Sequence, residues 1–286
     1  MHTKTSIILA LAYAIAVAHA PQIRAQTSAS SGSAIQQAVQ PGPNLPAVVA
    51  SSDVQAQSAL AAALQAAGGE SALAAIQDFT ATGTITYFWA GQQVQGSVTL
   101  RGKGLDEFRL DAVLPEGTRS WAVSHGTGNL KETDGTETAI PSHNALNLGA
   151  LTFPYLSMAA AAANSTTTVS TIGTAQVGSV QALQIRVQPH YTSSFDPNGT
   201  IAQLTTKDFF IDPTSFLILK TEIMTHPLQT FTVSLPEDIS FSNYQRVGGV
   251  IAPFTITETI NGQEIWTIQL SSIQFNTGLN DADFSQ

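Results

Sequence analysis

The stretch DFTATGTITYFW, residues 78–89, decides the fold class of this chain because two kinds of side chain alternate along it. Apolar or small residues occupy every second position, and threonine occupies most of the positions between them. A period of two is that of a β-strand with one buried and one exposed face. We therefore predict a half-buried strand with a threonine-clad outer face. Its predicted inward positions are Phe79, Ala81, Gly83, Ile85, Tyr87 and Trp89.

The same alternation returns along most of the chain. It runs from residue 94 to 132 and again from 166 to 275, and it includes a strand predicted over 230–235. Turn signals such as Asn261-Gly262 separate the strands. Roughly ten to twelve strands joined by tight turns indicate an antiparallel meander.

Two regions have helical character instead. Asp53 is a suitable N-cap for an Ala- and Leu-rich helix over 54–67, and a short helix is predicted over 70–76. Residues 141–164 are apolar and predict one or two further helices. Because the apolar face of a long sheet must be buried, the sheet can curl into a barrel or wrap these helices. The predicted fold class is α+β, mainly antiparallel β: a strongly curved sheet with helices covering its concave face.

The N-terminal region predicts export. Residues 1–25 have a short basic start and an apolar run over 7–18 that is too short to span a bilayer, which is typical of a signal peptide. Residues 26–52 are rich in Ser, Ala, Gln and Pro and predict a flexible linker, which leaves 53–286 as a single domain. We expect a periplasmic or extracellular protein of Gram-negative bacterial type, and not an integral membrane protein. An uncleaved anchor is the alternative.

Composition and motifs argue against several function classes. The net charge is −9 without a Lys/Arg cluster, which disfavours nucleic-acid binding. The chain has no cysteine, so disulfides and thiolate chemistry are excluded. It lacks the G-x-S-x-G, H-E-x-x-H and phosphate-loop patterns. We expect no metal, no cofactor and no catalytic residue. The mature chain's histidines are expected to be solvated loop residues; they are His125, His143, His190 and His226.

Two carboxylates need a separate interpretation. Asp212 lies in DFFIDPTSFLILKTE, residues 208–222, where the following Pro213 predicts a hairpin turn and a structural role for the acid. Glu258 shares its strand parity with Ile256, so alternation points it inward. It is therefore either a rim residue or a polar anchor inside a ligand cavity. Alanine-rich helices over such a sheet fit either a cavity or a packed core.

Three segments resemble one protein family. Residues 249–254, GVIAPF, and 275–284, FNTGLNDADF, together with the helix, double glycine and first strand over 59–86, resemble the outer-membrane lipoprotein-carrier (LolA/LolB-like) superfamily. The resemblance implies a half-open barrel with helices as a lid over an apolar cavity. It also implies periplasmic binding of acyl chains or other hydrophobic ligands.

The main functional hypothesis is an exported, non-enzymatic carrier of a hydrophobic small molecule, lipid or acyl chain, with an envelope protein as a further partner. One alternative is an envelope scaffold or interaction module with a packed core. Another is a secreted hydrolase that uses two carboxylates. The predicted ligand-lining residues are Ile85, Tyr87, Phe108, Leu110, Phe254, Ile256 and Glu258.

Overall fold

A computed structural model describes residues 53–89, 91–148, 154–227, 230 and 232–285. The signal peptide and linker predicted over 1–52 lie outside these residues. The helices are α1 (Val54–Ala67), α2 (Glu70–Ala74), α3 (Ser142–Leu148), α4 (Pro154–Ala163) and α5 (Thr200–Leu204), and a 3-10 helix spans Asp281–Phe284. The strands are β1 (Asp78–Trp89), β2 (Gln92–Lys103), β3 (Glu107–Leu114), β4 (Gly117–Ser124), β5 (Thr127–Lys131), β6 (Glu137–Ile140), β7 (Thr167–Val177), β8 (Val180–Pro189), β9 (Lys207–Ile211), β10 (Ile218–Thr225), β11 (Leu235–Val247), β12 (Val250–Ile260) and β13 (Gln263–Phe275).

All the strands form one sheet of 13 strands in the order β6-β5-β4-β3-β2-β1-β13-β12-β11-β10-β9-β8-β7. The first six strands run outward from the centre as one meander, and the other seven run inward from the far edge as a second. The two meanders meet where β1 pairs antiparallel with β13, from Phe79 opposite Phe275 to Tyr87 opposite Trp266. The predicted fold class, a mainly antiparallel half-open barrel with helices, is confirmed, with slightly more strands than expected.

The strand predicted over 230–235 is wrong. The described residues 230 and 232–234 are not in a strand, and β11 begins only at Leu235, which pairs with Thr225 at the end of β10. Pairing with β10 therefore sets the start of β11 at Leu235. Directly after β10, the buried side chain of Asn144 accepts from the backbone N–H of His226 and donates to its carbonyl. The long-range pairing of the strands, and not the local β-propensity of Thr and Val, decides where the strand begins.

Helix α1 begins and ends as its sequence predicts. The Asp53 carboxylate caps the helix by accepting a hydrogen bond from the backbone N–H of Ala56. The helix ends at Gly68, whose φ is 130°. A Cβ there would lie 2.8 Å from the carbonyl oxygen of Gly249, in the β11–β12 turn. Only glycine permits this approach, so α1 docks closely against the inner face of the sheet, the face that carries the apolar core.

The residues around Asp212 form the predicted turn. The Asp212 carboxylate accepts from the backbone N–H of Thr214 at 2.8 Å and from the Ser215 hydroxyl at 2.9 Å. The chain then reverses through Phe216, which has a φ of 57°, into β10. Asp212 therefore has a structural role.

We expect Asp212→Ala to lower the free energy of unfolding by about 1 to 2 kcal/mol, because it removes two hydrogen bonds to a charged acceptor. Asp212→Asn keeps an acceptor oxygen, so its free energy of unfolding should fall by less than that of Asp212→Ala. Urea denaturation of both variants checks this. A fully stable Asp212→Ala would contradict the structural role.

Candidate functional site

The inner face of the sheet brings most of the predicted lining residues together. Ile85, Phe108, Leu110 and Ile256 are at most 1% exposed and belong to one apolar cluster, and Tyr87 packs against it half-buried. Phe254 is also buried, but it is outside that cluster. The structure thus places these side chains in the interior, and their contact with a ligand stays a prediction.

One end of this apolar face carries a group of buried polar side chains, which we call the polar cluster: Tyr87, Arg119, Glu132, Glu237 and Glu258. Each of these residues lies close to the same end of the sheet. Tyr87 and Glu258 come near the ends of β1 and β12, Arg119 and Glu237 near the starts of β4 and β11, and Glu132 directly after β5. Antiparallel pairing brings these strand ends together.

Glu258 and Glu237 form a hydrogen-bonded acid pair. Glu258 is 7% exposed and Glu237 is 1% exposed. The Glu258 carboxyl interacts with that of Glu237, Trp266 lies beside Glu258, and Thr225 lies beside Glu237. Glu258 is buried and lies near the end of β12, so the structure leaves both the rim position and the polar anchor as predictions.

Arg119 is the cation of the polar cluster. Its Nε donates to Glu132 Oε2 at 3.0 Å, and its Nη1 donates to the Tyr87 hydroxyl at 3.1 Å. The guanidinium also lies 5.1 Å from the centre of the Tyr87 ring. The side chains of Arg119 and Glu132 are 10% and 9% exposed, so this ion pair is largely shielded from water.

Burial controls the protonation of the acid pair. Burial, together with the charge of Glu237, raises the pKa of Glu258 well above its usual range. Burial also raises the pKa of Glu237 to about 7. The two neighbouring groups titrate as a unit.

This arrangement predicts a pH-dependent stability. The pKa of Glu237 is about 7 in the folded chain and 4.5 ordinarily, so its contribution is fully present below pH 4.5 and is lost as pH rises through 7. We expect the free energy of unfolding to fall by about 3 kcal/mol across this window from Glu237 alone. Chemical denaturation at several pH values, compared between the wild type and Glu237→Gln, measures it.

The comparison is needed because His226 titrates in the opposite sense. Burial, with a smaller effect of the His143 charge, lowers the pKa of His226, which adds stability as pH rises. His226 is common to both proteins, so the difference between them reports the joint titration of Glu237 and Glu258. If the wild type and Glu237→Gln had parallel pH profiles, the raised pKa of Glu237 would be excluded.

The expectation of solvated loop histidines is wrong at two positions. His226 is 2% exposed, because α3 covers it, and His143 lies within α3, its ring 5.5 Å from that of His226. His125 and His190 are exposed, as predicted. Among the described residues, no group of three or more His, Asp or Glu side chains could hold a metal ion.

A pocket of about 220 Å³ lies apart from the polar cluster. Its lining combines an Arg186–Asp208 ion pair at 2.8 Å with Gln188, Gln203 and Glu222. In the part of the chain that the structure describes, no helix is long and apolar enough to cross a membrane.

Comparisons with known proteins give the fold. No protein-family model and no curated protein matches this sequence. A DUF1329 family protein from Desulfovibrio piger has a TM-score of 0.50 at 11% identity, over 81% of this chain and 97% of that one. At this identity the match shows the fold alone.

Two further solved structures have similar scores. A domain described as an outer membrane lipoprotein-sorting protein from Vibrio parahaemolyticus has a TM-score of 0.48 at 15% identity, over 80% of this chain and 97% of that one. A LolA superfamily protein from Nitrosomonas europaea has a TM-score of 0.49 at 10% identity, over 81% of this chain and 97% of that one. The predicted resemblance to the lipoprotein-carrier superfamily agrees with the descriptions of these two structures, and at 15% and 10% identity the likeness is one of fold alone.

Proposed function

We propose that the chain is an exported, non-enzymatic binding or carrier protein for a hydrophobic ligand, a lipid or an acyl chain. The observation that supports this most is the way the inner face is covered. A single sheet of 13 strands turns an apolar face toward short, alanine-rich helices. Such helices bury the face with little side-chain bulk, and they can be displaced at less cost than a second sheet.

Helix α4, PYLSMAAAAA, is the element proposed to move. Tyr155 and Met158 hold it, both fully buried, and the Tyr155 ring lies 6.3 Å from that of Tyr244. Its C-terminal residues Ala162 and Ala163 are exposed. Leu156, Ala159 and Ala161 also pack against the core, but most of these side chains are small, so we propose that the helix can lift while the sheet stays intact.

The binding test uses the full chain and a fluorescent fatty-acyl probe, together with native mass spectrometry after mild extraction. We expect saturable probe binding and co-purified lipid. Met158→Trp should weaken binding at least tenfold, because it fills space between α4 and the sheet. Ala163→Trp is the matched control at the exposed end of the same helix and should bind normally. A protein that co-purifies without lipid and does not bind the probe would refute the proposal.

A packed envelope scaffold is the second candidate. It is favoured by the tight burial of Ile85, Leu100 and Leu110, all of which are 0% exposed. A stoichiometric protein partner from an envelope extract, together with no probe binding, would support it.

The acid pair does not favour the hydrolase. Glycosidases hold their two carboxyl groups about 5 to 10 Å apart, across the scissile bond. Glu237 and Glu258 interact with each other and are 1% and 7% exposed, so they do not flank an open cleft that could hold a scissile bond.

A further inference from the structure

We propose that the polar cluster binds the ammonium group of an amphiphilic ligand whose chain lies on the inner face, so that the protein prefers long-chain amines to fatty acids. This inference rests on the proposed function and names the ligand class of the same site.

The polar cluster has more hydrogen-bond acceptors than donors. Oε1 of Glu237 and Oε1 of Glu132 are buried and have no hydrogen-bond partner among the described residues. Both residues are at most 7% exposed. A buried acceptor without a donor is costly, and native proteins supply one from the chain, from water or from a ligand. An ammonium group carries three donors and no acceptor.

The balance of charge points the same way. Within the polar cluster, three carboxyl groups, those of Glu132, Glu237 and Glu258, share a single cation, Arg119. Arg119 already donates to Glu132 and to the Tyr87 hydroxyl. When Glu237 ionises, the polar cluster carries an excess negative charge in a region shielded from water. A cation relieves that charge, whereas a carboxylate or phosphate increases it.

The surroundings also suit an alkylammonium. Tyr87 and Trp266 lie opposite each other on β1 and β13, and aromatic faces attract cations. Tyr87 is the least buried member of the polar cluster and lies two residues before the end of β1. The more accessible side of the cluster is therefore the side at this end of the sheet. Ile85 and Ile256, two residues before Tyr87 and Glu258 on the same strand faces, begin the apolar surface that an attached chain would follow.

The test compares dodecylamine, dodecanol and dodecanoate as competitors of a fluorescent acyl probe, below their critical micelle concentrations and at about pH 7.5. These ligands share one chain and differ in the head group. We expect dodecylamine to bind at least tenfold more tightly than dodecanoate, with dodecanol between them. Equal or tighter binding of dodecanoate would overturn the inference but leave the proposed function standing. Failure of all three, and of the probe, would overturn both.

Amino-acid substitutions test whether the polar cluster causes the preference for amines over carboxylates. Glu132→Gln/Glu237→Gln should bring the affinities for amine and carboxylate within about threefold of each other, and the affinity for dodecanol should stay unchanged. Glu116→Gln is the matched control, because it removes an exposed carboxylate three residues from Arg119. It should keep the full preference. An unchanged preference in the folded double variant would overturn the assignment. Should that variant not fold, the wild-type ranking of the three ligands decides alone.

Discussion

Arg119→Met is expected to lower the free energy of unfolding by about 3 to 5 kcal/mol. The substitution keeps most of the side-chain volume but removes the charge that compensates Glu132. Glu132 is 7% exposed and would be left as a buried anion that has lost its charge partner. Removing one partner of a buried ion pair is more costly than replacing both. Urea denaturation at about pH 7.5 measures the effect.

The matched experiment is a double-mutant cycle. Arg119→Met/Glu132→Gln removes both charges, and we expect it to recover at least half of the stability lost in Arg119→Met. Glu132→Gln alone leaves Arg119 without its carboxylate and should also destabilise. If the double variant were as unstable as the sum of the two single variants, the two side chains would not be coupled, and the description of the polar cluster would be wrong.

Asp78→Ala is expected to lower the free energy of unfolding by about 4 kcal/mol, since the carboxylate holds the end of the chain. It accepts from the Thr277 backbone N–H at 2.6 Å, the Thr277 hydroxyl at 2.8 Å, and the backbone N–H groups of Gly278 and Leu279 at 3.1 and 3.3 Å. Asp78 itself is 6% exposed. Its loss leaves several donors unpaired next to the core. Asp78→Asn retains one acceptor oxygen, so we expect its free energy of unfolding to fall by about half as much.

Limited proteolysis provides the local readout. In Asp78→Ala, cleavage after residue 275 should become faster than in the wild type under native conditions. Asp281→Ala is the control in the same segment, because its ion pair with Lys103 is exposed, and it should leave the proteolysis pattern unchanged. Protection of the C-terminal segment in Asp78→Ala would show that other contacts hold it.

Local alternation predicts strands well here because inward and outward positions follow directly from sequence parity. It identified β1 and β12 and pointed Glu258 inward. The same rule would have found Glu237, which shares parity with Ile239 and Phe241, and Arg119, which shares parity with Trp121 and Val123. Neither residue belongs to a known catalytic sequence pattern, so only its position on the inward face of a strand marks it.

Other features have no local signal. The pairing of β1 with β13 joins residues such as Thr82 and Ser272, which are 190 positions apart. Helix α5, Thr200–Leu204, has five residues, too few to show helical periodicity, and it is stabilised by the Asp196 carboxylate accepting from the Ala202 N–H. The assembly of the polar cluster from five strand ends depends on these long-range pairings, so sequence reasoning alone could not place it.

The central position of β13 has a consequence for biogenesis. Strand β13 follows the other twelve described strands along the chain, yet it lies between β1 and β12, in the middle of the sheet. Before β13 is synthesised, the two meanders have unpaired edges that face each other. Contacts of such high sequence separation slow folding. The sheet therefore cannot be completed until β13 has been added, and the earlier strands wait for it with two open edges.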